Sequence, residues 1–139
     1  MKVFAILALC IVAASAGVVV HEPCGGDGQV VQIRISDCEG EVAEMTPGVE
    51  YHCEGDVIPA AASAALHLHV SARFQGADVT IIDADIPDSA VQPDMQYTLR
   101  WSVTPGAIPV GNTIAITSAV SDVATTVVQM CGRIMARIV

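Results

Sequence analysis

The 139-residue chain is poor in basic residues. Six Lys and Arg stand against fifteen Asp and Glu, for a formal net charge of −9. Nucleic-acid binding needs clustered Lys and Arg on phosphates, so that class is excluded. Charge-driven docking on an anionic membrane is excluded for the same reason. The only Asn, Asn112, is followed by Thr113-Ile114, so there is no N-x-S/T glycosylation site. No two cysteines stand in a C-x-x-C pair, which argues against a zinc ribbon or finger. No G-x-S-x-G elbow is present, and no His sits in a catalytic motif, so no enzyme activity is expected. Long helical periodicity is also missing.

Hydrophobic residues make up 53% of the chain, but they are unevenly placed. Met1 to Ala16 hold 14 apolar residues out of 16. Met1-Lys2 gives a positive start, Val3 to Ala13 an apolar run, and Ala14-Ser15-Ala16 the small residues read by a signal peptidase. This predicts a secretory signal over 1–16 and a mature domain over 17–139. The run is too short to span ~30 Å of hydrocarbon, and no later segment approaches ~20 uninterrupted apolar residues. Stable membrane insertion of the mature chain is therefore not expected.

Removing the signal removes Lys2 and Cys10, leaving five Arg, fifteen acids and a net charge of −10. Cys24, Cys38, Cys53 and Cys131 remain. An even number in a secreted chain reads as two disulfides, with three pairings open.

Period-two alternation recurs along the mature chain. Val31, Ile33 and Ile35 share one parity, as do Leu66, Leu68, Val70, Ala72 and Phe74. The same holds for Met95, Tyr97, Leu99, Trp101 and Val103, for Ile114, Ile116 and Val120, and for Val128, Met130, Ile134, Ala136 and Ile138. Turn signals separate the runs: Thr46-Pro47-Gly48, Gln75-Gly76, Ile86-Pro87-Asp88, Thr104-Pro105-Gly106 and Gly111-Asn112. Ala60 to Ala65 follows Pro59 and reads as the lead-in to a strand. The pattern predicts an all-β antiparallel sandwich or barrel. Periodicity alone leaves open whether the inward aliphatics fill the core or line a ligand cavity.

The order of signal, cysteines and strands resembles the lipid-recognition (ML) family, which includes Niemann-Pick type C2 sterol-binding proteins and group 2 mite allergens. Cys24 matches the early family cysteine. Cys38, in Ile35-Ser36-Asp37-Cys38, matches the one after the first strand, and Cys53 its partner before the next. Met130-Cys131-Gly132-Arg133-Ile134 looks like the C-terminal cysteine strand. Gln96 to Val103 looks like the tyrosine-bearing strand, and Asn112 to Val120 like the strand after a proline loop. The resemblance spans residues 24–138. The chain departs from the family in two places. The loop from Ile86 to Asp94 lacks the usual third bridge, and the Cys38–Cys53 loop is long and acidic (Glu39, Glu41, Glu44, Glu50).

The resemblance implies an immunoglobulin-like sandwich of two antiparallel sheets around an apolar cavity, with bridges Cys24–Cys131 and Cys38–Cys53. It implies a secreted protein, extracellular or in the endolysosomal lumen, that carries a sterol, fatty acid or other lipid. The alternative is an innate-immune module that recognises bacterial lipid or a protein partner. No cofactor is expected. The inward residues expected at the ligand are Leu66, Leu68, Val70, Phe74, Val79, Ile81, Tyr97, Leu99, Trp101, Val103, Ile114, Ile116, Val128, Met130 and Ile134. Tyr97 and Trp101 stand out, since each pairs an apolar body with one polar handle.

Two polar groupings lie outside that reading. Asp83-Ala84-Asp85 and Asp88 fall in a turn-rich stretch without EF-hand spacing and read as solvated carboxylates. His67 and His69 share one strand face, two residues apart. No third ligand is evident in the sequence, so no metal is expected; surface imidazoles of this kind would make binding acid-sensitive.

Overall fold

The computed structural model describes residues 16–106 and 108–139. They form ten strands and no helix: β1 (Ala16–Val19), β2 (Glu22–Gly25), β3 (Gln29–Ser36), β4 (Val42–Met45), β5 (Tyr51–Ile58), β6 (Leu66–Phe74), β7 (Ala77–Ile86), β8 (Tyr97–Val103), β9 (Thr113–Asp122) and β10 (Val128–Ile138). Among these residues no helix is long and apolar enough to cross a membrane. The expected signal segment lies outside them except for Ala16, which opens β1 opposite Ser36.

The strands build two sheets. One runs β2-β10-β9-β6-β7, with β4 taking the far half of the β10 edge that β2 leaves free. The other runs β1-β3-β5-β8. Every strand pairing is antiparallel but one: β4 lies parallel to β10, Val42 to Met45 against Met135 to Ile138. The acidic 38–53 connection was read as a loop. Its Val-Ala-Glu-Met stretch instead alternates, burying Ala43 and Met45 while Glu44 pairs with Arg137 at 3.2 Å.

The predicted alternation survives with two shifts of parity. In β3 the register against β5 skips Val31, which stays exposed while Val30 turns towards the core. In β7 the register against β6 jumps from Ser71–Thr80 to Val70–Ile82. Ile81 is the extra residue of this bulge, and beyond it the inward set becomes Ile82, Ala84 and Ile86. A bulge opposes two residues to one and so reverses the faces of everything past it. Met95 precedes β8 and is exposed.

The two inner faces meet in one core. Leu66, Val70, Met130 and Ala136 have no measurable exposure. Burying such an aliphatic contributes about 1.5–3 kcal/mol. Tyr51 is also buried, because its hydroxyl accepts the Thr46 amide at 2.7 Å and so needs no water.

Cys24 and Cys131 form a disulfide that ties β2 to β10 across 107 residues of sequence. The expected Cys38–Cys53 bridge is absent, and both are buried thiols. Cys38 leaves β3 through Asp37, whose φ of 58° turns the chain, and its thiol donates to the Glu44 carbonyl at 3.5 Å. Cys53 points inward from β5, its thiol 3.9 Å from the Tyr51 carbonyl. Each sulfur is thus directed at a carbonyl. Burial, more than any neighbouring charge, pushes Cys38 up to about 11 and Cys53 up to about 12.

Candidate functional site: an apolar cavity between the sheets

The β6–β7 hairpin turns on Gln75-Gly76, both left-handed at φ 52° and 79°. Two successive positive-φ residues match the right-handed twist of a tight hairpin. The turn holds Phe74 beside Ala77, at one end of the sandwich. The β8–β9 connection crosses that end, and Pro105 accepts the Gly48 amide at 2.9 Å.

Between them lies a cavity of about 170 Å³. Its walls come from β6 (Ala72, Phe74), β7 (Val79, Ile81), β9 (Ile114, Ile116), Ile138, Met45 and Val103. Thr104, Pro105, Gly106 and Ile108 complete it. Thr104 is the only polar side chain in this lining and no residue in it is charged. Val79 and Ile81 are 48% and 38% exposed, so the cavity reaches the surface beside the edge strand β7. Val79 and Ile81 share a parity, and the bulge changes the inward set only beyond Ile81.

Two small voids continue inward along the inter-sheet plane. One, about 10 Å³, adjoins Met45, Val103 and Ile116, which also line the main cavity. The next, about 20 Å³, lies among Leu68, Leu99, Met130 and Gly132. Trp101 borders both voids, inward of the main cavity, which it does not line.

Six of the fifteen residues expected at a ligand line the main cavity: Phe74, Val79, Ile81, Val103, Ile114 and Ile116. Leu68, Leu99, Trp101, Met130 and Ile134 border only the small voids. Leu66 and Val70 are fully buried and line neither the cavity nor the voids. Tyr97 is half-buried, and its hydroxyl accepts the Gln92 amide at 2.9 Å, away from the cavity. Val128 is 38% exposed at the start of β10, beyond an irregularity in the β9–β10 register. Alternation marks faces but not position along the sandwich axis, so these four could not be separated in advance. Met45, Ala72, Ile108 and Ile138 were not expected there, nor were Thr104, Pro105 and Gly106 of the β8–β9 connection. Ile138 carried the right parity; Met45 and Ile108 sit in segments read as loops.

The outer face of the smaller sheet is polar and paired. Arg34 donates to Asp56 at 2.6 Å and to Glu54 at 3.2 Å, and Arg100 donates to Glu54 at 2.9 Å. The Arg100 and Arg34 guanidiniums hold the Glu54 carboxyl below its usual range; Arg34 and the Thr98 hydroxyl do the same for Asp56.

No protein-family model and no curated protein matches the sequence. Solved structures match the fold. A Niemann-Pick type C2 protein from the Japanese carpenter ant aligns over 86% of this chain and 99% of its own, with a TM-score of 0.70 and 17% identity. The C-terminal domain of wzt aligns over 86% and 77%, with a TM-score of 0.60 and 8% identity. Chicken MD-1, solved with lipid IVa, aligns over 86% and 88%, with a TM-score of 0.56 and 10% identity. The chain therefore has a Niemann-Pick C2-like ML fold, an immunoglobulin-like sandwich of two β-sheets.

Proposed function

We propose that this is a secreted lipid-binding protein that takes hydrocarbon between its sheets for transport. The observation that carries the reading is the chemistry of the cavity. Its wall is aliphatic, with Phe74 as its only ring, and it bears no charge. Such a surface gains about 25 cal/mol for each Å² of hydrocarbon it removes from water, and the Thr104 hydroxyl is its only side-chain group able to hydrogen-bond a headgroup. A tail would enter between Val79, Ile81 and the Thr104-Pro105-Gly106 segment, and the headgroup would stay at the rim.

The size of the cavity constrains the ligand. At about 170 Å³ it is close to the cavity of ~150 Å³ that accepts benzene, and below the ~300–1,000 Å³ of drug-sized pockets. A sterol or long acyl chain therefore requires the sheets to part along the line of small voids, past Trp101. Secretion is supported by the apolar leader over 1–16 and by the Cys24–Cys131 disulfide. The likeness to MD-1, a protein solved with lipid IVa, supports lipid as the ligand class.

Purified protein is extracted with organic solvent and analysed by mass spectrometry, then delipidated and titrated with oleic acid, cholesterol and lipid IVa. Trp101, the only tryptophan, reports entry through its emission. A stoichiometric acyl lipid or sterol is expected. Saturable binding of lipid IVa alone assigns the recognition role instead, and binding of none of the three overturns the reading.

A further inference from the structure

The outer face of the β6–β7 hairpin carries chemistry that the cavity does not use. His67 and His69 point outward from β6. The antiparallel register sets Asp85 directly opposite His67 and Asp83 directly opposite His69. Two imidazoles and two carboxylates thus occupy the corners of one small rectangle, with directly opposed Cβ atoms about 4.5–5.5 Å apart. The sequence shows the His-x-His and Asp-x-Asp pairs separately; the register brings them together.

The His67 ring lies between both carboxylates. Its Nδ1 is 2.6 Å from Asp85 Oδ1 and its Nε2 is 2.5 Å from Asp83 Oδ1. His69 Nε2 stands 3.4 Å from the Thr80 hydroxyl. Among the described residues no three such groups already converge on one point. Two reasons are visible in the geometry: His67 Nε2 is joined to Asp83 by a hydrogen bond, and His69 Nε2 is turned to Thr80. A zinc ion bound at ~2.0–2.1 Å to both atoms would hold them ~3.3 Å apart, so Asp83 needs to withdraw by less than ~1 Å while the His69 ring turns from Thr80 towards its cross-strand partner Asp83. Its side chain is 61% exposed and free to do so.

We infer that His67 Nε2, His69 and Asp83 form a binding site for a divalent transition metal, with Zn²⁺ the best fit. Asp85 is the positioning residue: by accepting the Nδ1 proton of His67 it directs Nε2 towards the ion, a carboxylate–histidine–metal arrangement. Two nitrogens and one oxygen suit zinc, with water in the fourth position, whereas calcium requires six to eight oxygens. The inner face of the same two strands bears Ala72 and Val79, paired across the hairpin and both lining the cavity. The ion would therefore fasten the edge strand that forms the cavity rim.

The test is calorimetric titration of tag-free secreted protein with ZnCl₂, alongside the Co²⁺ absorption spectrum. One ion per chain with a micromolar Kd is expected. His67→Ala and Asp83→Asn should each weaken binding at least tenfold, and His69→Gln by a similar factor. Asp85→Asn should weaken it by about 10–100-fold. His52→Ala, on the exposed face of the other sheet, should leave it unchanged. Circular dichroism establishes that each variant is folded, and His69→Gln stands in if His67→Ala is not. No saturable binding below millimolar zinc overturns the site. So does affinity indifferent to positions 67, 69 and 83, or a thiolate-to-cobalt band assigning the ion to Cys38 or Cys53.

Discussion

The indole of Trp101 lies against the bare Cα of Gly55. A Cβ built at Gly55 would stand 3.1 Å from Cη2 and 3.3 Å from Cζ3 of the ring. Gly55 faces inward from β5, and Trp101 faces inward from the neighbouring β8. The missing side chain lets a large ring lie along the inner face of the sheet, and this places the indole beside both inner voids.

Gly55→Ala should therefore displace the indole towards the opposite sheet. The expected cost is about 1 kcal/mol of overpacking, measured by urea denaturation. A shift in tryptophan emission should accompany it, since Trp101 is the sole fluorophore of its kind. Unchanged emission would place the ring elsewhere.

At the rim, Val79→Glu separates binding from folding. Val79 is 48% exposed on an edge strand, so the melting temperature should move by only a few degrees. A carboxylate in that apolar wall should reduce uptake of a fluorescent fatty acid or sterol at least tenfold.

The Cys24–Cys131 bridge closes a loop of 107 residues. Replacing both cysteines by serine should cost about 3–5 kcal/mol, read from thermal or denaturant melts of the double variant. The same shift should follow mild reduction of the native protein.

Cys38 and Cys53 should remain thiols in the purified protein. With burial holding them at about 11 and about 12, they should react slowly with iodoacetamide near neutral pH and readily after unfolding. Mass spectrometry counts the added groups; two modifications after denaturation without reductant are expected, and none would mean that the pair is bridged.

The acidic limb of stability should depend on Asp56 and Glu54. Both carboxyls are held below their usual range by Arg34, Arg100 and, for Asp56, Thr98. A depressed folded-state value stabilises the protein above the ordinary carboxylate range, and that contribution is lost as pH falls through the depressed value. Asp56→Asn should therefore lower stability at pH 7. The gap from wild type should narrow as urea melts are taken below pH 4.

Much of the fold was legible because period-two patterning writes itself directly into sequence. β6, β8 and β9 follow the expected parities of Leu66 to Phe74, Tyr97 to Val103 and Ile114 to Val120. The failures share a cause. The bulges at Val31 and Ile81 are properties of a strand and its partner together, and neither strand records them alone. The strand β4 escaped because four residues pairing parallel to a distant segment leave little local signal. The family pattern suggested a second bridge, but a cysteine pairing depends on where two side chains point, and Cys38 and Cys53 point at carbonyls.

The sequence by itself determined the class of the protein: an acidic β-sandwich with aliphatics alternating on its strands. These follow from charge, composition and the strand period, which are local quantities. Tertiary structure alone decided that six of fifteen inward residues meet around a cavity, that Trp101 rests on Gly55, and that two aspartates stand opposite His67 and His69. Such relationships depend on register and on depth along the sandwich, and both arise only when distant strands pair.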